Sequence, residues 1–401
     1  MGGYIMSSTI NADTTNGVVV TSDTSGEIEL QSNGVTKAKV TANGLQDANG
    51  NSLRGGMYRN LIINGDMQVA QRATSKTGIT NSSGVSYQTV DRFTLGGSAQ
   101  AFGTWTQSQD TDVPSGQGFA KSFKMDCTTS STDDGQILLQ HRIEGQMLQY
   151  LKKGTSSAES LTLSFWVKSN KTGTYIAELY DKDNDRQISY AYTIDTADTW
   201  EKKIITYDGD TTGAFDNDND RSLDVILYLK ASSALSSGTL NTSWAATVSA
   251  NRAVGQVNLA DSTSNYINIA GVQLEVGEGA SDFEFLPYDV QLARCQRYYQ
   301  TSYGADSGVV LTAQGLHWIA YSGSILIGAL MFPVKMRATP TMVIYGSYSG
   351  TANRIETVSN TLVSGTFAFV GHSKTKATQA NGSGLAANAM YQFEFTASAE
   401  L

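Results

Sequence analysis

Two carboxylate runs are the first places where residue type and spacing could support chemistry. Asp181-Lys182-Asp183-Asn184-Asp185 and Asp216-Asn217-Asp218-Asn219-Asp220 put oxygen donors at alternate positions, as a Ca²⁺-binding loop does. An EF-hand also needs a glycine at its sixth position and a glutamate at its twelfth. The first run has Arg186 and Tyr192 there, and the second has Arg221 and Leu227. Neither is an EF-hand, and a solvated acidic turn built from Asp and Asn is the competing reading. Asp181, Asp183 and Asp185 remain the candidate Ca²⁺ ligands, and no other cofactor is expected.

Other catalytic arrangements find less support. The three histidines, His141, His317 and His372, have no cysteine or second histidine nearby, so they do not supply the three or four N/S ligands of a zinc site. No GxSxG elbow accompanies them, which argues against a serine-type triad. His141 alternates within an apparent strand and reads as structural. Glu144, Glu178 and Glu275 could form a glycosidase pair, but nothing in their spacing brings two into one cleft. The 20–30-residue repeat of a β-helix is also missing. The chain is therefore expected not to be an enzyme.

Aromatic side chains offer binding chemistry, because a flat ring stacks on the apolar C–H face of a sugar. Trp166 alternates with Phe165 and projects from the other face of its strand. Tyr190 and Tyr192 share a face of theirs, and Trp200 begins the next. Towards the end of the chain, Trp318, Tyr321, Tyr345 and Tyr348 fall near loop ends. Trp166 and these four are the contact candidates. The competing reading is that loops or a neighbouring subunit cover such rings.

The elements that carry these residues are strands. In Leu161–Ser169, LTLSFWVKS, four apolar residues alternate with Thr162, Ser164, Trp166 and Lys168, the period of a strand with one face on a core. Thr172–Tyr180, Gln187–Ile194, Trp200–Asp208, Ser222–Lys230 and Tyr266–Glu275 repeat the pattern. Phe102–Gln107, Phe119–Cys127 and Ile137–Ile143 precede them, and Gln146–Lys153 reads as a short helix or turn. Strands so spaced, with polar turns between, predict an all-β sandwich or jelly roll. Thirty-nine glycines against four prolines suit many tight turns.

Four segments follow. Residues 1–56 are poor in apolar side chains, with short β-like pieces at Gly17–Thr21, Gly26–Gln31 and Gly34–Thr41. They form either a loose tail or a β stalk that gains its core from other copies. Residues 57–288 hold the jelly roll. Pro287 breaks the strand pattern, and residues 289–300 read as a connecting helix over Asp289–Tyr299. Residues 301–401 form a small β tip with strands at Val309–Ala313, Leu316–Tyr321, Ser324–Phe332, Thr341–Tyr345, Thr366–Val370 and Met390–Ala397.

Composition narrows the partners. The net charge is −9, with 28 Lys+Arg, which argues against nucleic acid or an anionic membrane surface. An acidic chain repels anionic glycans at long range, although a local patch can still hold one. No run of 18 apolar residues predicts membrane insertion. The first residues lack the charged and apolar regions of a secretory signal, so none is expected. Cys127 and Cys295 read as two separate buried thiols.

Three stretches taken in order carry a resemblance. Asn60–Gln68 (NLIINGDMQ) with Asp91-Arg92-Phe93 resembles the opening of the carbohydrate-binding-module-like jelly rolls of bacteriophage tail fibres. Arg142-Ile143-Glu144-Gly145 followed by Leu161–Ser169 is similar to their middle. Gly271–Gly277 (GVQLEVG), Phe283–Pro287 and Ala293–Tyr299 (ARCQRYY) are similar to their end. GEIELQSNGVTKAKV also resembles the N-terminal repeats of phage fibres. The resemblance covers about residues 7–300.

It implies a structural virion protein, usually a homotrimer. Its N-terminus would sit on tail or baseplate proteins and its tip would face a host polysaccharide or protein receptor. A secreted carbohydrate-binding module and a head or collar decoration fibre are the alternatives. Modules of this kind often hold a structural Ca²⁺ between their first and last strands. Asp66 matches the first acidic position, but Ala270-Gly271 stands where the second is expected. In a trimer Val290 and Ala293 would face the axis, with Arg294 and Arg297 pairing to Asp289 or Glu284 of a neighbour. Packing within the chain is the other reading.

Overall fold

A computed structural model describes residues 27–32, 34–41, 44–47, 58–80, 87–97, 102–303 and 315–401. The chain divides into two compact units, residues 1–56 and 57–401. The all-β reading holds. In the first unit, Ile28–Ser32, Val35–Thr41 and Gly44–Asp47 form a three-stranded antiparallel sheet. Val35, Val40 and Leu45 are exposed there. The expected pieces at Gly17–Thr21 and Val309–Ala313 lie outside the described residues.

The second unit opens with a sandwich of two six-stranded antiparallel sheets. One runs, edge to edge, Ala245–Ala246, Arg186–Ile194, Gly173–Asp181, Arg221–Lys230, Ile137–Glu144 and Phe93–Gly97. The other runs Glu201–Tyr207, Leu161–Ser169, Tyr266–Val276, Ser122–Thr129, Thr104–Asp110 and Ser75–Ile79. Leu161, Leu163, Phe165 and Val167 of the second sheet meet Leu223, Val225, Leu227 and Leu229 of the first in one core. Each fully buried large side chain there contributes about 1.5–3 kcal/mol.

The two sheets differ on their outer faces. The alternation in Arg221–Lys230 predicts a solvated side carrying Asp224, Tyr228 and Lys230, yet all three are buried. Ile226 and Tyr228 pack with Leu138 and Ile176 under Leu235 and Ala253 of the excursion between residues 231 and 261. A period-2 pattern reports one buried face, and this insertion supplies a cover for the other. Leu61–Ile63, an apolar run that reads from sequence as a brief strand, is instead a turn-rich edge. It still joins the second sheet, through Leu61 N–H to the Leu274 carbonyl at 2.9 Å.

The connecting helix spans Tyr288–Gln296. The tip that follows is built around Met390–Ser398. One half of this strand pairs with Leu316–Ala320 and Glu356–Thr357, the other with Tyr299–Thr301 and Thr341–Tyr345. Ile325–Met331, Lys376–Asn381 and Ala368–His372 extend the sheet. The tip and the sandwich interlock. Arg337 donates to the Asn219 carbonyl at 2.8 Å and to Asp220 at 3.0 Å, and Asn219 donates back to the Arg337 carbonyl at 2.6 Å.

Candidate functional site

The outer face of the second sheet carries a cleft of about 300 Å³. Its floor is Ser164 and Trp166 on Leu161–Ser169, Lys202 on the neighbouring strand, and Gly271 on the other side. Trp166 lies directly across the ladder from Lys202 and from Ala270. Gly116, Gln117 and Phe119 line it from one loop, and Ser281, Asp282, Phe283 and Phe285 from another.

Local sequence explains this shape. The register of Tyr266–Val276 against Leu161–Ser169 slips between Ala270 and Gln273, so the closing strand bulges at Gly271. That residue has φ +60°, and a Cβ on it would come within 2.3 Å of the Phe119 ring. Glycine therefore lets Phe119 close onto the backbone. Phe119, Phe283 and Phe285 then pack mutually, with ring centres 4.9–5.1 Å apart. Phe119 is buried, while Phe285 keeps 46% of its surface exposed. Trp166 is half-buried. The cleft thus offers two partly exposed rings from different elements.

The GVQLE stretch fixes one rim. Glu275 accepts from Ser281 N–H at 2.8 Å and Ser281 Oγ at 2.7 Å. Gln273 accepts from Glu284 N–H at 2.8 Å. Arg59 holds the Asp282 carbonyl at 2.5 Å and lies 3.6 Å from Glu275. Glu284 in turn accepts from the backbone N–H groups of Tyr58 and Asn60. Satisfied buried groups of this kind hold a binding loop in one geometry.

Of the expected contact residues, only Trp166 lies in this cleft. Trp318 is corrected: it is 3% exposed, packed edge-on against Phe369 and Phe393. A Cβ on Gly328 would lie 2.1 Å from its ring, so the strand Ile325–Met331 is shaped to receive it. Tyr321 (70% exposed) and Tyr348 (50%) are on the surface and Tyr345 is half-buried. Among the described residues no ring contact joins these three. Tyr192 is also core, against Phe165 and Tyr175, and Trp200 donates to Asp112 at 3.0 Å.

The Ca²⁺ candidates are likewise corrected. Asp181 is fully buried, 2.6 Å from Lys153 Nζ, and caps the N–H groups of Asp183 and Asn184. Asp183 accepts from Asp216 N–H, and Asp185 accepts from Tyr180. Their oxygens face separate protein donors. Asp66 accepts from Gln68 at 2.8 Å and Gln291 at 3.5 Å. Among the described residues, no three His, Cys, Asp or Glu side chains converge as a metal site. The second acidic run is the loop that docks Arg337.

Arg297 of the connecting helix has partners within the chain. Arg297 makes two hydrogen bonds to Glu144, at 2.7 and 2.6 Å, and Tyr298 Oη donates to it at 2.5 Å. Burial raises the Glu144 carboxyl, but Arg297 and Tyr298 outweigh it and hold it below its ordinary range. Arg294 is partly buried, 3.5 Å from the Asn60 carbonyl. Val290 and Ala293 are half-buried in this one chain. The other two candidate carboxylates are structural too. Glu178 pairs with Arg252 and Tyr228, and Glu275 anchors the rim.

The same network explains the remaining motifs. Arg92 is fully buried, stacks 3.5 Å from the Tyr298 ring centre, and pairs with Glu400, which also takes Arg72 at 3.0 Å. Asp91 accepts from Gln71 N–H at 3.0 Å. His141 accepts from Ile63 N–H at 3.3 Å, and burial, with Arg92 and Arg294 nearby, lowers its pKa well below the ordinary value. Cys295 is buried with Ile63, Val69 and Tyr298, and both cysteines are free thiols.

Gln117, Lys202, Asp282 and Phe285 escaped sequence reasoning. Lys202 enters the cleft only through a strand pairing, and the Phe283–Phe285 run announces an apolar cluster without saying which ring stays outside.

No model of a known protein family matches this sequence, and no curated protein matches it. Some solved structures match part of the chain at low similarity. The enzymatically active domain of tailspike protein 4 of bacteriophage CBA120 matches at 16% identity and TM-score 0.29. The match covers 55% of this chain and 22% of that one, so it spans about a fifth of the tailspike. A family 61 carbohydrate-binding module in complex with β-1,4-galactotriose matches at 10% and 0.27, over 54% of this chain and 99% of its own. The family 11 carbohydrate-binding module of Clostridium thermocellum, in complex with a β-1,3-1,4-mixed-linked tetrasaccharide, matches at 13% and 0.24, over 52% and 98%.

Proposed function

We propose that this chain is a non-catalytic, glycan-binding subunit of a bacteriophage fibre. In this reading it is a homotrimer on the virion that attaches the particle to host surface glycan. The carrying observation is the cleft on the second sheet, where Trp166 and Phe285 present rings beside Ser164, Gln117, Lys202 and Asp282. Rings that stack on pyranose faces, flanked by hydroxyl, amide and charged groups, are what an oligosaccharide needs. On the first sheet, Leu235 and Ala253 cover Ile226 and Tyr228 of the outer face. The order of the fibre-like motifs supports the virion assignment. Weak single sites suffice in such a particle, because several sites on one rigid fibre multiply avidity by about 10²–10⁴.

The test is affinity electrophoresis of the full chain through gels containing host surface polysaccharide. The wild type should be retarded. Trp166→Ala should migrate freely with an unchanged melting temperature. Equal retardation of both proteins would remove the cleft as the glycan site.

A further inference from the structure

The charge inside the cleft singles out a class of glycan. Most cations on this face are neutralised within the chain. Lys168 lies 2.6 Å from Asp112, Lys124 lies 3.1 Å from Asp126, and Arg59 is shared by Glu275 and the Asp282 carbonyl. On the adjoining strand, Lys203 is held by Glu201 at 2.5 Å. Among the described residues, Lys202 and Asp282 enter no ion pair, with each other or with any third group, although both line the cleft. Lys202 is exposed and stands across the ladder from Trp166.

A sugar stacked on the Trp166 ring therefore has the Lys202 side chain as its cross-strand neighbour. Asp282, from a lining loop, adds a carboxylate to the same cleft. A neutral hexose leaves the ammonium with hydroxyl partners only. A uronic acid places a carboxylate on a ring of the same size, and a charge-assisted hydrogen bond to Lys202 is stronger than a neutral one. We infer that the cleft selects a uronic-acid residue, stacked on Trp166 with its carboxylate on Lys202. Asp282 accepts sugar hydroxyls from the other side and excludes a second carboxylate there. The selection is local, since the chain's net charge of −9 opposes an anionic polymer at distance. This inference rests on the glycan-binding reading of the same cleft.

The experiment compares the full-length protein's retardation by polygalacturonate with that by the same polymer after chemical reduction of its carboxyl groups, which keeps ring and linkage and removes the charge. The wild type should prefer the charged polymer, and added salt should shrink the preference. Lys202→Ala should cut the preference ratio about tenfold, the loss of one hydrogen bond to a charged group. Asp282→Asn should raise it. Equal binding of the two polymers, or a ratio unmoved by Lys202→Ala, overturns the inference and leaves glycan binding standing. Loss of binding to both polymers in Trp166→Ala supports the site itself. Retardation of the wild type by neither polymer overturns the inference and counts against the reading beneath it.

Discussion

Trp166 and Trp318 have opposite energetic roles. The Trp166 ring is half-buried on the outer face of a sheet, so truncating it removes binding surface and little core. Trp318 fills the centre of the tip between Phe369 and Phe393. Trp318→Ala should cost about 3–5 kcal/mol through the cavity it leaves, read as a lowered urea midpoint at unchanged slope. A loss below about 1 kcal/mol would contradict its place in the core. Both tryptophans sit in alternating strands, and alternation alone does not tell which face the rest of the chain covers. Asp91 gives a pH prediction at the same scale. Burial pushes its carboxyl up to about 6, against the lowering effect of Arg72. A carboxyl raised in the folded state stabilises it below the ordinary range near 4 and loses that contribution as pH rises through 6. The wild type should therefore lose stability relative to Asp91→Asn between pH 4 and pH 7. A constant difference across that window would refute the shift.

At the scale of elements, the motifs that look like signatures turn out to be joints. Glu144 of RIEG meets Arg297 and Tyr298 of ARCQRYY, which fastens the connecting helix to the first sheet. Arg297→Ala would leave a buried carboxylate short of its main partner, and breaking such a pair costs about 3–5 kcal/mol. Arg297→Lys should recover less than half, because an ammonium cannot reproduce the two-pronged bond. Chemical denaturation of the three proteins distinguishes this from a weak surface pair, which would cost under about 1 kcal/mol. The bulge at Gly271 is a second joint. Gly271→Ala meets both the positive φ and the Phe119 ring, so it should disturb the three-phenylalanine cluster and weaken glycan retardation along with stability.

Strands with one apolar stripe, such as Leu161–Ser169, were legible because burial imposes a period of two. The helix was legible from Pro287 and the helical spacing after it. Lys376–Asn381, KATQAN, was not, because small and polar residues hold it by ladder bonds to its neighbours. The covered face of Arg221–Lys230 was not either, since its cover comes from the irregular segment that follows it, which has no strand period. The cleft was half-legible: Trp166 shows itself by parity, whereas Lys202 joins it only once the ladder is known.

For the whole molecule, the tip and the sandwich behave as one body because charged groups cross between them. Arg337 reaches Asn219 and Asp220, and Glu400 reaches Arg72 and the buried Arg92. Arg297, one of the helix arginines expected at a trimer axis, is committed to Glu144 inside the chain, so the proposed trimer needs another surface. The three-stranded sheet of the first unit is the better place for it. Its apolar side chains Leu30, Val35, Val40 and Leu45 are exposed, a state that strands with so little cover avoid in isolation. Burial among copies would remove them from water. Light scattering on the full chain should then give a molar mass near 129 kDa, three times the 42.9 kDa chain. Replacing Val35 and Val40 together by Lys should lower that mass towards one chain, while glycan retardation per site survives in the sandwich. A mass of 42.9 kDa for the wild type would refute the trimer and leave the glycan cleft as a property of the single chain.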